Sequence, residues 1–217
     1  MNVQERPVGP AQRGFTLIEL LIVIAILGTL AAVLLPNILG AQKSADITAT
    51  EANMLRLSNA CQAFEQAYGW YPPDDLRSRA KEVEVNWKTD NGQNTGIESL
   101  VAFVSMGNKG GTDLSDLGDR ITNTDKDEHG AEQKKLHRKD RVEVADAWGM
   151  PFAYFCMSGL GKAQNVCTPT GDVVPAVALK DSRGNYHGHK GKFQLLSAGP
   201  DGVFGTSDDI PFPRNAD

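Results

Sequence analysis

Phe15-Thr16-Leu17-Ile18-Glu19 opens an apolar run, FTLIELLIVIAILGTLAAVLL, that ends at Leu35. Seventeen of its 21 residues are apolar, and from Leu20 to Gln42 no residue carries a charge. A helix of about 20 residues at 1.5 Å rise crosses the hydrocarbon of a bilayer, so the run is long enough to span a membrane. A secretory signal peptide has a shorter apolar region followed by a small-x-small cleavage site. Here the sequence continues Pro36-Asn37-Ile38-Leu39-Gly40, a poor match. Arg6 and Arg13 lie upstream, so the positive-inside tendency keeps the leader cytoplasmic and sends the remainder outward.

Working outward from this run, the rest of the 217-residue chain is lean. Its apolar share falls from 41% overall to 36% outside residues 15–35, which is little for a self-sufficient core. Lys plus Arg number 22 against 27 Asp plus Glu, a net charge of −5. That balance argues against nucleic acid as a partner, which would require a basic face to neutralise phosphates.

Glu19 does not fit a generic anchor, because a carboxylate inside an apolar span costs several kcal/mol unless it is paired or near the interface. Cleavage after Gly14 would give Phe15 a free α-amine four residues away, able to neutralise Glu19 of the same or an adjacent copy. The plainer alternative is an ordinary signal anchor with a Glu near its mouth. Arg13-Gly14-Phe15-Thr16-Leu17-Ile18-Glu19 closely resembles the prepilin peptidase site of type IV pilins and type II secretion pseudopilins. The resemblance implies removal of residues 1–14 as a leader peptide, N-methylation of Phe15, and a Glu19 that contacts the amine of a neighbouring subunit during filament assembly. Processing would leave 20 basic and 26 acidic side chains, a balance of −6.

Beyond Pro36, which membrane helices tolerate, no proline occurs until Pro72. Ile47, Thr50, Met54, Leu57, Cys61, Phe64 and Tyr68 recur at spacings of three and four, one apolar stripe of an amphipathic helix. Gly69 and Pro72-Pro73 supply its stop. The expected element is one assembly helix over 15–69, greasy all round in its first half and packed by one face on a globular head, residues 70–217, in its second.

Within the head, Val83-Glu84-Val85-Asn86-Trp87 alternates like a short strand and 97–104 reads as a short helix. From Met106 to Arg141, 16 of 36 residues are charged and 6 apolar, the composition of an exposed loop. Pro151–Met157, Val173–Leu179 and Phe193–Leu196 predict a small antiparallel sheet packed on the helix stripe. Pro175 places the middle strand at an edge or interrupts it. The fold class is therefore α+β, a long N-terminal helix on a small sheet head. Tyr68-Gly69-Trp70-Tyr71-Pro72, Thr95-Gly96-Ile97-Glu98-Ser99-Leu100 and Asp146-Ala147-Trp148-Gly149-Met150-Pro151-Phe152-Ala153-Tyr154 follow in order. They resemble the landmarks of the major pseudopilin of the type II secretion system, which implies the pilin fold.

Residues 197–210, SAGPDGVFGTSDDI, place Asp201, Asp208 and Asp209 in a glycine-rich loop. Hard cations such as Ca²⁺ take six to eight oxygens from carboxylates and backbone carbonyls. Val203 and Gly205 stand where an EF-hand needs oxygen side chains. The alternative is an Asp-rich turn whose side chains cap backbone amides. The loop resembles the calcium loop of the major pseudopilins. That likeness implies a structural Ca²⁺ held by the carboxylates of Asp201, Asp208 and Asp209 and the backbone carbonyls of Ala198 and Thr206.

Cys156 and Cys167 flank ten residues with two glycines, a spacing compatible with a disulfide across a hairpin in an oxidising compartment. Cys61, on the helix stripe, reads as a small buried thiol, with a disulfide from Cys61 to the sheet as the alternative. His187-Gly188-His189 reads as an exposed turn rather than a metal site. Asp125-Lys126-Asp127-Glu128-His129-Gly130 begins like a calcium loop, yet Leu136 stands where its closing Glu belongs. Nucleophile elbow, phosphate-binding glycine loop and paired metal-binding histidines are all missing from the sequence, so no enzyme activity is expected.

The resemblance further implies a subunit that polymerises with itself into a helical filament. Its partners would be minor pseudopilins, the prepilin peptidase and an inner-membrane assembly platform, with the membrane as its site before assembly. Two other readings remain: a surface type IV pilus subunit, and a membrane-anchored calcium-binding domain that never polymerises.

Overall fold

The computed structural model describes residues 15–79, 81, 86, 88–106, 111–133, 138–157, 159–188 and 192–214. These form two compact units, one ending at Lys43 and the other running from Ser44 to the C-terminus. Helix α1 spans Leu17–Tyr68, as the spacing predicts. In the first unit every residue from Phe15 to Lys43 is exposed, the surface expected of a segment whose apolar atoms meet lipid rather than protein. Pro36 sits inside the helix without ending it.

In the second unit, the rest of α1 enters the core by its stripe. Thr50, Met54, Leu57, Cys61 and Phe64 are buried, while Ile47 and Tyr68 pack at its margin. Helix α2, Thr95–Met106, is apolar and buried along its length from Ile97 to Ser105. Phe103 lies edge-on to both Phe64, at 6.2 Å, and Trp70, at 5.8 Å. Such pairs add to what area burial alone provides.

Strands are short and pair antiparallel throughout. β1 (Ile121–Thr122) pairs with β4 (Glu143–Val144), and β2 (Glu128–Gln133) with β3 (Arg138–Asp140). β5 (Ala153–Cys156), β8 (Phe193–Ser197) and β9 (Ile210–Phe212) form a three-stranded sheet in the order β5-β8-β9. β6 (Gln164–Cys167) and β7 (Val173–Ala176) make a separate ladder. Pro175 stands in β7, whose only ladder partner among the described residues is β6, so the missing N–H falls at an edge as expected. The expected sheet is thus present but divided. The strand predicted at 83–87 lies outside the described residues apart from Asn86.

Residues 106–141 depart from the expected solvated loop. They hold a 3₁₀ turn at Ser115–Arg120 and strands β1, β2 and β3. Leu114, Leu117, Asp127, His129 and Arg141 are buried. The composition misled because Asp127 and Arg141 pair inside the head, although Asp113, Asp116, Asp119, Lys126, Glu128, Lys139 and Asp140 do face water.

Candidate functional sites

At the membrane end, Thr16 and Glu19 close a capping box. Glu19 Oε2 accepts from the Thr16 backbone N–H at 2.9 Å and from its hydroxyl at 2.8 Å, while the Glu19 N–H donates to Thr16 Oγ1 at 3.3 Å. Two helix-terminal donors are satisfied reciprocally, and the carboxylate stands at the positive end of the helix dipole. Phe15 is exposed beside it. Gly14, the predicted cleavage partner, lies outside the described residues.

The motifs that mark the head each have a local cause. Asp146 Oδ1 accepts from the N–H groups of Trp148 and Met150, its Oδ2 accepts from Ser197 Oγ at 2.6 Å, and Gly149 turns the chain at φ 87°. The Ala147 N–H donates to Thr50 Oγ1, tying this loop to α1. Gly96 is needed because a Cβ there would run into the Tyr154 carbonyl and Gln164. Tyr154 Oη donates to the Pro72 carbonyl and Ser99 Oγ to that of Pro73, which pins the turn after α1 to the sheet and to α2.

In the C-terminal loop, the three aspartates expected to hold calcium turn oxygens onto backbone amides. Asp201 Oδ1 accepts from Val203 N–H, Asp208 Oδ2 from Asp201 N–H, and Asp209 Oδ2 from Gly205 N–H. Asp209 is raised above the usual carboxylate range, first by burial and further by Asp201 and Asp208. Its Oδ1 is buried without a hydrogen-bond partner. Ala198 is fully buried, and Gly199, at φ 68°, packs so tightly that a Cβ would strike the Asp208 carbonyl. The loop therefore combines the amide-capping turn with an orphaned carboxylate oxygen. That donor set, all oxygen, fits a hard cation.

The cysteine pairing expected from spacing is corrected. Cys61, Cys156 and Cys167 are all free thiols. Cys156 ends β5, which pairs with β8, whereas Cys167 ends β6, which pairs with β7. The two residues therefore face different surroundings. Cys156 borders Asp74, whose Oδ2 accepts its N–H at 3.0 Å, while the Cys167 N–H donates to Asn94 Oδ1 at 2.9 Å. Burial pushes all three thiols up. His187 is half-buried rather than exposed, and its carbonyl accepts from Gln194 Nε2; His189 lies outside the described residues.

A cluster that the sequence did not assemble lies around Arg141. Its side chain is fully buried, with Nε 2.8 Å from Asp127 Oδ2 and 3.3 Å from Glu98 Oε2. Its Nη2 donates to the Asn86 carbonyl and to Thr89 Oγ1. Glu143 accepts from Asn94 Nδ2 at 2.6 Å and from the Thr124 N–H at 3.2 Å. Burial pushes the Glu143 carboxyl up to about 8 and Asp127 up to about 6, and holds His129 down to about 3. Glu98 is raised well above its ordinary value, by burial first and then by Asp127 and Asp125. The one signal in the sequence was Asp125-Lys126-Asp127.

Comparison with known proteins bears on the membrane end and the head together. Residues 9–35 match the family described as the prokaryotic N-terminal methylation motif. The type II secretion system core protein G of Escherichia coli K12 is 28% identical over 199 residues, covering 92% of this chain and 89% of that protein. Its counterpart in Pectobacterium carotovorum is 38% identical over 72 residues, a third of this chain and 46% of that one. The type IV wide pilus major component PilA4 of Thermus thermophilus is 52% identical over 56 residues, 26% of this chain and 40% of that one. No solved structure gives a significant match. With the capped apolar helix and the α+β head, these likenesses define a pilin-like, membrane-anchored protein. The similarity that runs the length of both units is to the secretion core protein, whereas that to the pilus component is confined to about a quarter of the chain.

Proposed function

We propose that the chain is the major subunit of a type II secretion pseudopilus. In this reading a prepilin peptidase cleaves after Gly14 and Phe15 is N-methylated. An inner-membrane platform then draws the subunit out of the bilayer into a homopolymer, tipped by minor pseudopilins, that grows in the periplasm and drives export. Full-length similarity to a secretion core protein, joined to the methylation motif, carries the proposal. The chemistry of assembly rests on Glu19. In the monomer its carboxylate is occupied by Thr16. In a filament it would exchange that partner for the Phe15 amine of the next subunit, a heterologous contact that generates open polymers. Withdrawal of the exposed apolar surface of 15–43 from lipid into a helix bundle would accompany it.

Co-expression with a peptidase and platform tests this reading. Glu19→Leu should still be processed and inserted but should lose filaments, seen as loss of the sedimentable polymer. Normal filaments from that variant would remove Glu19 from the account of assembly, and a parent chain that forms none would leave an inert anchor. The stronger local identity to the wide pilus component supports a surface pilus as the second reading. Short periplasmic fibres favour the first reading, and long extracellular ones the second.

The C-terminal loop belongs to the same proposal. Asp201, Asp208, Asp209 and the carbonyls of Ala198 and Thr206 would hold a structural Ca²⁺, supported by the buried, unpartnered Asp209 Oδ1. The ion would neutralise a loop that otherwise concentrates negative charge.

A further inference from the structure

We infer that Glu98, Asp125 and Glu143 form a second divalent-cation site, buried in the head and suited to calcium. Oxygens of these three carboxylates lie within 4.8 Å of one another. Two oxygens that share one Ca²⁺ at 2.3–2.6 Å stand at most about 5 Å apart, so the three are already within the span of one ion. They arrive from separate places: Glu98 from the first turn of α2, Asp125 from the loop after β1, and Glu143 from β4.

The unpartnered atoms point to a ligand. Glu98 is 1% exposed, and neither of its carboxylate oxygens has a hydrogen-bond partner. Asp125 Oδ2 is also buried without one. Buried polar atoms are almost always satisfied, and an unsatisfied buried carboxylate is among the costliest exceptions. Arg141 does not fill the gap. Its Nε donates to Asp127 and its Nη2 to Asn86 and Thr89, leaving Glu98 Oε2 at 3.3 Å from Nε. One guanidinium thus stands against Asp127 and Glu98 and acts on Asp125 as well, too few positive charges for the carboxylates gathered there, although its Nη1 is itself buried without a hydrogen-bond partner.

Donor chemistry narrows the ion. Oxygen ligands without a thiolate or imidazole disfavour zinc and copper. Each of the three carboxylates offers one oxygen within this span; calcium tolerates an irregular remainder of its six to eight oxygens, whereas magnesium keeps several waters and a strict octahedron. A largely dry cage of carboxylates suits calcium better. Leu136 at the expected closing position of the Asp125-Lys126-Asp127 motif is then no obstacle, because Glu98 and Glu143 close the site from other elements.

The test is calcium stoichiometry of the full-length chain in detergent micelles, stripped with chelator and titrated with CaCl₂ by equilibrium dialysis and calorimetry. A D208N/D209N variant should retain one equivalent, whatever becomes of the C-terminal loop. Glu143→Gln and Asp125→Asn should each lose that equivalent or weaken it at least tenfold. Asp125 is only half-buried, so Asp125→Asn should keep the fold. A melting temperature in chelator equal to or above the parent's would establish that and assign any loss of calcium to the missing ligand. Calcium binding by both Gln and Asn variants equal to the parent's would overturn the proposal, as would a D208N/D209N chain that binds none. If the parent and D208N/D209N each bind one equivalent, the buried site stands and the C-terminal calcium loop falls.

Discussion

Arg141 Nε stands 2.8 Å from Asp127 Oδ2, and both side chains lie inside the head, the arginine fully buried. Breaking a buried pair by removing one partner leaves an uncompensated charge and costs about 3–5 kcal/mol. Arg141→Met should therefore lower the melting temperature by roughly 10 °C, taking about 2–4 °C per kcal/mol for a chain of this size. Adding Asp127→Asn to it should recover part of the loss. An unchanged melt for Arg141→Met would mean that the guanidinium contributes nothing to the cluster.

Asp74 predicts a pH dependence. Its carboxylate is raised above the ordinary value of 3.8, by burial first, against the N–H of Cys156 that it accepts. A carboxyl with a raised folded value binds its proton more tightly when folded. Its presence thus costs stability as pH rises from the unfolded value through the folded one, and costs nothing below both. Asp74→Asn, whose amide oxygen still accepts from Cys156, should melt higher than the parent at pH 7. The two should coincide near pH 3. Melts run in chelator across that range check it; a variant less stable at pH 7 would contradict the sign.

Removal of calcium should loosen the C-terminal loop. If the ion is present at about 100 times its dissociation constant, chelation removes about 2.7 kcal/mol. Thermal melts with and without EDTA should then differ by several degrees, and Asp209→Asn should abolish most of the difference contributed by that loop. Identical melts in calcium and EDTA would remove calcium from the account of the head.

The three thiols should titrate as thiols. Cys61 and Cys167 are buried and Cys156 half-buried, all with raised values, and thiolate is the reactive form. An aromatic disulfide reagent should label Cys156 first and slowly, and all three only after unfolding. Fewer than three thiols in the unfolded, unreduced chain would restore a disulfide.

Much of this was legible in the sequence. The apolar run and the stripe from Ile47 to Tyr68 gave α1 nearly to the residue, because helical period and hydrophobicity are local quantities. The helix at 97–104 and the strands near 153, 173 and 193 were visible for the same reason, as was the edge position of Pro175. Two expectations failed where the deciding contacts are remote. Cys156 and Cys167 are close in sequence, but strand pairing sends them into different ladders. The charged stretch looked solvated because its compensating partners are far away: Arg141 meets Asp127 fourteen residues back and Glu98 forty-three. Even Arg141-Val142-Glu143-Val144, an alternation that reads as one wet face and one dry, is buried on both.

By itself, then, the sequence determined the apolar segment and the helix that leads into the head, and it carried the likeness from which a processing and assembly signal at Gly14, Phe15 and Glu19 is proposed. These follow from composition, spacing and a short motif. Tertiary structure alone decided that Cys156 and Cys167 stand in different ladders, and that Glu98, Asp125, Asp127 and Glu143 gather in one buried cluster with Arg141. Those outcomes depend on which remote groups share a desolvated interior, where charge must be matched across space and not along the chain.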